Sequence, residues 1–330
     1  MNQIILGDCF DQINELDENS VNLVVSSPPY NIGKEYENRI KIEEYVNNQY
    51  EILRNLYQKI SNSGSIFWQV GSFTKNGYLY PLDILLFPKF IELGFLPINR
   101  IIWARSHGLH AKKKFSARHE TILWFAKTEN YHFKLGDIRV PQKYQNKKSY
   151  RGKNKGELTC NPEGKNPGDV WLFRNVKHNH EEQTIHPCQF PEDLVARIIL
   201  STTKIDDLVV DPFMGTGTVP VVAKNLGRRY FGVEIDSSYY EVAQRRISCT
   251  FDNNYSFANL KCLRDYVQKT GEDISKYKFD VQVGNRATER EKSKIFSEEY
   301  HKDEFLNRLE LEENKFKENY QKNIIQTAFN

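Results

Sequence analysis

Two short apolar runs constrain this chain more than anything else in it. Val21-Asn22-Leu23-Val24-Val25-Ser26 and Leu208-Val209-Val210 both read as buried strands, and each runs into a loop of unusual composition. The first ends on Ser27-Pro28-Pro29-Tyr30. Two prolines cannot continue a ladder, so this tetrapeptide sits on a loop at the strand's carboxyl end. The second ends on Asp211-Pro212-Phe213-Met214-Gly215-Thr216-Gly217-Thr218, before a helix over Val219 to Leu226 and a strand over Arg229 to Ile235. After the first loop, Glu43 to Ile60 carries apolar residues at helical spacing, Asn62-Ser63-Gly64 breaks the pattern, and Ser65 to Val70 reads as another strand. Both halves alternate strand, helix and strand, which predicts a parallel α/β sheet. Asn99 to Ala104 and Thr121 to Lys127 read as further strands, and Pro191 to Thr202 as an amphipathic helix.

Composition narrows the class. Hydrophobic residues are 39% and aromatics 13% of 330 residues, enough for a sizeable core. No apolar run approaches the ~20 residues of a membrane-spanning helix. The start, Met1 to Asp8, has neither the basic opening nor the long apolar stretch of a signal peptide. Five cysteines without paired spacing argue against a disulfide scaffold or a zinc module, and a cytoplasmic protein is expected. Net charge is only +3, but Arg100 to His180 carries 18 Lys/Arg against 6 Asp/Glu. Such a local excess suits a phosphate-facing surface, and a solvated basic loop suits it as well. Within that stretch, 131–179 is polar, poor in aliphatics and without regular period. It reads as an insertion between a core of 1–130 and 180–250. Residues 251–330 are highly charged with helical patches and read as a peripheral helical extension.

The two loops carry the chemistry. Gly215 and Gly217 allow a tight turn and close approach to a ligand, and the helix that follows offers free N–H groups. Glu234, 23 residues after Asp211 and at the end of the next strand, is placed to accept hydrogen bonds from ribose hydroxyls. A dinucleotide fingerprint needs one more glycine where Pro220 stands, which disfavours a nicotinamide dehydrogenase. In the other loop the Pro28 and Pro29 carbonyls and the Ser27 hydroxyl are acceptors, and Tyr30 adds a flat ring. That set fits an amino group on a planar ring, and an ordinary Pro-Pro turn would also account for it.

Ser-Pro-Pro-Tyr followed far downstream by Asp-Pro-Phe-Met-Gly-Thr-Gly-Thr resembles the amino-methylating DNA methyltransferases of restriction-modification systems, in the circularly permuted order of their β group. Three more blocks agree: Gly7-Asp8-Cys9 ahead of the first strand, Arg118 to Phe125, and His186-Pro187-Cys188-Gln189-Phe190-Pro191. The resemblance spans roughly residues 4–248. It implies an α/β, Rossmann-like sheet, mostly parallel with an antiparallel edge hairpin, a target-recognition insertion at 131–179, and S-adenosyl-L-methionine as cofactor. Catalysis would fall to Ser27, Pro28, Pro29 and Tyr30. Cofactor binding would fall to Asp8, Asp211, Phe213, Gly215, Gly217, Thr218, Glu234, His186 and Gln189, with Asp8 at the adenine and the His186 block at the methionine end. Lys112, Lys113, His119, Lys143, Lys147, Lys148, Arg151 and Lys153 are the DNA-contact candidates.

The implied reaction moves a methyl group to the exocyclic N4 of cytosine, or alternatively N6 of adenine, in double-stranded DNA after base flipping. Ser at the first motif position is typical of the cytosine enzymes. No metal is required, and His178, His180 and His186 lack partners at zinc spacing. Cys188 superficially resembles the nucleophile of cytosine-C5 enzymes, but its block matches the cofactor side. The family also implies a cognate restriction endonuclease acting separately, and a monomer or homodimer. Methylation of a non-DNA substrate and a non-catalytic DNA-binding module are the remaining alternatives.

Overall fold

The computed structural model describes residues 2–33, 37, 39–105, 110–140, 147–159, 161, 164–176, 180 and 182–248. The helical extension expected over 251–330 lies outside them. The described chain divides into two compact units, one from 2–137 with 168–248 and one from 138–167.

In chain order the larger unit contains β1 (Asn2–Leu6), α1 (Cys9–Asn14), β2 (Val21–Ser26), α2 (Ile42–Lys59), β3 (Ile60–Val70), the small hairpin β4 (Ser72–Lys75) and β5 (Tyr78–Pro81), and α3 (Leu82–Glu92). It continues with β6 (Leu96–Ala104), β7 (His119–Ala126), β8 (Val170–Leu172), α4 (Glu192–Thr202), β9 (Leu208–Asp211), α5 (Thr218–Asn225), β10 (Arg229–Glu234) and α6 (Ser237–Ser248). Eight strands form one sheet in the order β1-β10-β9-β2-β3-β7-β6-β8. Only β7 runs against its neighbours, and the other pairings are parallel.

The winding reverses at the centre of the sheet. From β9 the chain passes through α5 to β10 on one side, and from β2 through α2 to β3 on the other. β2 and β9 pair directly, Leu23 with Val209 and Val24 with Val210. In a doubly wound sheet such a reversal opens a crevice outside the carboxyl ends of the strands. Alternation along the strands builds two apolar faces. Val24, Ile66, Trp68, Leu123, Phe125 and Val210 join one buried core with Leu53 and Leu56 of α2 and Phe90 of α3. Phe90 stacks on Phe125 with centroids 4.3 Å apart. On the other face Phe67 stacks on Trp124 at 5.1 Å. Full burial of one such phenylalanine contributes about 1.5–3 kcal/mol.

Four features depart from the reading of the sequence. A strand, β1, precedes Gly7-Asp8, pairing with β10 at the sheet edge. The Asn62-Ser63-Gly64 break is a bulge inside β3, where the partner register jumps from Val21–Ile60 to Leu23–Ser65. A Cβ on Gly64 would lie 2.7 Å from Ile60 and 2.9 Å from the Val21 carbonyl, so the chain closes only on glycine. The antiparallel hairpin β6–β7 is not the edge, because β8 adds in parallel beyond β6. Finally, both ends of 131–179 belong to the larger unit. Tyr131 and Phe133 pack on Trp124 at 5.6 and 5.4 Å, and Trp103 donates to the Phe173 carbonyl at 3.0 Å. Arg197 of α4 lies over the rings of Trp171 and Phe173 at 5.1 and 4.6 Å.

The smaller unit is held by backbone rather than by apolar packing. Bridges join Val140 to Lys165, Lys148 to Leu158 and Ser149 to Lys155, and Arg139 donates to the Gly164 carbonyl at 2.9 Å. Among the described residues, no helix is long and apolar enough to cross a membrane.

Candidate active site

The carboxyl ends of β1, β10, β9, β2 and β3, together with the amino end of the inverted β7, share one edge of the sheet. Asp8, Glu234, Asp211, Ser27, Gln69 and Glu120 therefore line up along it. Ser26 Oγ donates to Asp211 Oδ1 at 2.6 Å across 185 residues of chain, which joins the two loops at their roots.

The Ser27–Tyr30 loop is shaped by side chains. Asn31 follows it with φ 59° and is almost fully buried. Its amide donates to the Ile40 carbonyl at 2.9 Å and accepts from the Ile40 N–H at 2.8 Å. Glu37 accepts the N–H groups of Asn31, Ile32 and Gly33 at 2.7, 2.6 and 3.1 Å. Tyr45 of α2 donates to the Pro29 carbonyl at 2.8 Å. Among the described residues, no hydrogen bond reaches the Pro28 carbonyl. Ser27 Oγ and Tyr30 Oη both donate to Gln69 Oε1, each at 2.5 Å. Gln69 Nε2 in turn donates to Glu120, whose other oxygen is ion-paired with Arg105 at 2.8 Å.

The Asp211–Thr218 loop is shaped by the main chain and two acids. Asp211 Oδ1 accepts the Phe213 N–H at 3.1 Å as well as the Ser26 hydroxyl. Burial drives its pKa up to about 7 against the pull of those bonds. Glu234 accepts the Gly215 N–H at 2.8 Å on one oxygen and the Asp236 N–H at 2.8 Å on the other. Burial raises its pKa too. Gly217 has φ 80° and caps α5, and a Cβ there would sit 2.8 Å from the Ala243 Cβ of α6. Its need for glycine therefore comes from helix packing and a left-handed backbone. Arg246 of α6 donates to the Thr216 carbonyl at 2.6 Å and pairs with Glu192 of α4 at 2.7 Å.

The remaining sequence candidates fall in place around these loops. Asp8 is the N-cap of α1, accepting the Phe10 N–H at 2.8 Å, and Gly7 donates to the Glu234 carbonyl at 2.9 Å. Phe213 is half-buried with its ring 6.0 Å from Trp68. Thr218 opens α5. His186 lies 3.5 Å from the Cβ position of Gly215 and meets Tyr239 edge-on at 4.7 Å, and burial pushes its pKa down to about 4. Gln189 is buried and spent on its own loop: it accepts from Thr184 at 2.7 Å and donates to the Glu182 carbonyl at 2.8 Å. Lys112, Lys113 and His119 are exposed in the larger unit, and Lys147, Lys148, Arg151 and Lys153 in the smaller one. Lys143 and His178 lie outside the described residues. Asn31, Glu37, Tyr45, Gln69 and Arg246 escaped the reading of the sequence. For Gln69 there was a signal, a lone polar residue in the otherwise apolar run Ile66-Phe67-Trp68-Gln69-Val70.

A strand-end crevice with an acid–glycine loop on one wall and an amine-binding loop on the other defines a Rossmann-like group-transfer enzyme. Residues 21–245 match the N6/N4 DNA methylase family model, and the chain belongs to that family: it is an S-adenosylmethionine-dependent, site-specific DNA methyltransferase of the restriction-modification type. It is 52% identical over 314 residues to the type II methyltransferase M.BglII of Bacillus subtilis, spanning 94% of this chain and 87% of that protein. It is 31% identical over 273 residues to the DNA adenine methyltransferase YhdJ of Escherichia coli (strain K12), spanning 81% and 88%. Among solved structures, the PvuII DNA methyltransferase (cytosine-N4-specific) shares the fold with a TM-score of 0.61 at 22% identity over 77% of this chain and 88% of that one. A DNA modification methylase of Thermus thermophilus, complexed with S-adenosyl-L-methionine, does so with a TM-score of 0.55 at 24% identity over 76% and 96%.

Proposed function

We propose that this methyltransferase modifies the exocyclic N4 of cytosine in duplex DNA. The observation that carries the choice of base is Ser27, a neutral hydroxyl at the first position of the amine-binding loop. The alternative, N6 of adenine, is the specificity named for YhdJ.

The site's chemistry supports the reading. The donor set along the sheet edge fits a nucleoside cofactor. Glu234, whose carboxylate loses solvation on burial, gains from added donors such as ribose hydroxyls. Asp8 offers a second acid at the adjacent strand end, and the Phe213 ring offers an apolar face. When bound, S-adenosylmethionine supplies an electrophilic sulfonium methyl. His186 stays uncharged at neutral pH, so it adds no cationic repulsion beside a sulfonium.

An aryl amine is a weak nucleophile because its lone pair is spread into the ring. Ser27 Oγ and the Pro28 carbonyl accept its two N–H bonds and so localise that lone pair. Tyr30, tethered through its hydroxyl, presents its ring to the flipped base. The contribution is orientation rather than strong acid or base chemistry. The Lys147, Lys148, Arg151 and Lys153 cluster of the smaller unit contacts phosphates, which sets register, while base edges supply sequence.

Incubation of the protein with labelled cofactor and duplex DNA, then nucleoside mass spectrometry, tests this. N4-methylcytosine is expected. N6-methyladenine would overturn the choice of base.

A further inference from the structure

A hydroxyl is both donor and acceptor. Ser27 Oγ accepts an N–H from the target amine only while its own proton points elsewhere. The structure shows where that proton goes. Gln69 Oε1 lies 2.5 Å from Ser27 Oγ and 2.5 Å from Tyr30 Oη, so one carbonyl oxygen collects both hydroxyl protons.

The arrangement holds only if the carbonyl end of the amide faces the loop. Turned over, its NH2 would donate to Ser27 and consume the lone pair the amine needs. Glu120 decides between the two. A carboxylate accepts only, so it draws Gln69 Nε2 and aims Oε1 at the hydroxyls. Glu120 is held in turn by Arg105, at 2.8 Å, in a pair whose side chains are 20% (Arg105) and 16% (Glu120) exposed. The register of the inverted strand supplies this contact. Gln69 sits opposite Ile122, and Glu120 lies two residues on, on the same face. Gln69 itself is 2% exposed, and a buried amide must find partners. Those it finds are the two polar residues of the catalytic loop and the acid that orients it.

We infer that Gln69, set by Glu120 and Arg105, is a positioning residue that turns the Ser27 hydroxyl proton away from the target amine and keeps its lone pairs facing the crevice. This rests on the reading of Ser27 as amine acceptor.

The test is a mutant cycle in the full chain with duplex DNA, following the single-turnover methylation rate and the affinities for cofactor and for DNA. Gln69→Leu should slow the rate by about 10- to 100-fold, in the range of one lost transition-state hydrogen bond, with cofactor affinity unchanged. In a Ser27→Ala background the same substitution should cost less than about twofold more, because its target is gone. Gln69→Glu still accepts from both hydroxyls but faces the Glu120 carboxylate. One shared proton relieves that repulsion, so this variant should recover rate as pH falls from about 9 to about 6.

If Ser27→Ala methylates at the wild-type rate, the reading of Ser27 itself fails. If Ser27→Ala is slow but Gln69→Leu is as fast as wild type, the inference about Gln69 fails alone. It fails equally if the two losses multiply in the double variant. Should Gln69→Leu unfold, the pH profile of Gln69→Glu decides: a profile parallel to wild type overturns the inference.

Discussion

The two loops that meet at the centre of the sheet are built by different means. The 27–33 loop is held by side chains reaching in from elsewhere: Glu37 on three successive N–H groups, Tyr45 on the Pro29 carbonyl, and Gln69 on both hydroxyls. The 211–218 loop is held mainly by its own backbone. Met214 donates to the Val233 carbonyl at 3.0 Å and Gly217 to the Met214 carbonyl at 2.8 Å, with Gly215 and Gly217 in the left-handed region. A loop made by side chains can be retuned one contact at a time, which suits the part of the enzyme that must fit a particular amine. A loop made by backbone fails as a whole, which suits a pocket for an invariant cofactor.

Three substitutions bear on this contrast. The largest effect is expected from Gly217→Val. A β-branched residue at φ 80°, pressed on Ala243, carries strain of about 1–3 kcal/mol before any packing loss. Calorimetry should show no measurable binding of S-adenosylmethionine and the melting temperature should drop; wild-type affinity would show that the loop is not set by its backbone. Next is Glu37→Ala, which strips three N–H groups of their acceptor beside the reacting amine. Turnover should fall on the order of 10-fold through misplacement, with cofactor affinity held within about twofold. Equal losses in turnover and affinity would mean that the loops are not independently built.

The smallest effect is a change of slope. Asp211, with a native pKa of about 7 against about 3.9 in an unfolded chain, binds its proton more tightly when folded. Its contribution to stability is full below about pH 4 and is lost as pH rises through about 7. Asp211→Asn removes that titration and keeps an acceptor for Ser26 and Phe213. Its melting temperature should therefore decline less than that of wild type between about pH 4.5 and about pH 7.5. A parallel decline would assign the pH dependence to other groups.

Much of this architecture is legible before folding, because parallel strands buried on both faces read as unbroken apolar runs. That is why β2, β9 and β10 lie within a residue of where the runs place them. β1 escaped because an edge strand of five residues, Asn2–Leu6, exposes most of its side chains and leaves no period. α3 escaped because Leu82–Glu92 is apolar on nearly every side and contains Pro88, so no stripe appears. β8 is three residues whose partner strand lies far upstream, with Val170 opposite Ile102. The site divides in the same way. Its two motifs are local words and could be read. Glu37, Gln69 and Arg246 become functional only through contacts that folding creates, and a lone glutamine or arginine carries no sign of its partner.

The hydrogen bond between Ser26 and Asp211 spans 185 positions. At about 5–20 residues per second of synthesis, the first strand of the pair waits roughly 10–40 s on the ribosome for the second to emerge. For that interval the apolar edge of β2 has no neighbour on the β9 side. Nascent chains of this enzyme are thus obliged to spend tens of seconds half-assembled, with a sticky strand border on offer to chaperones or to one another.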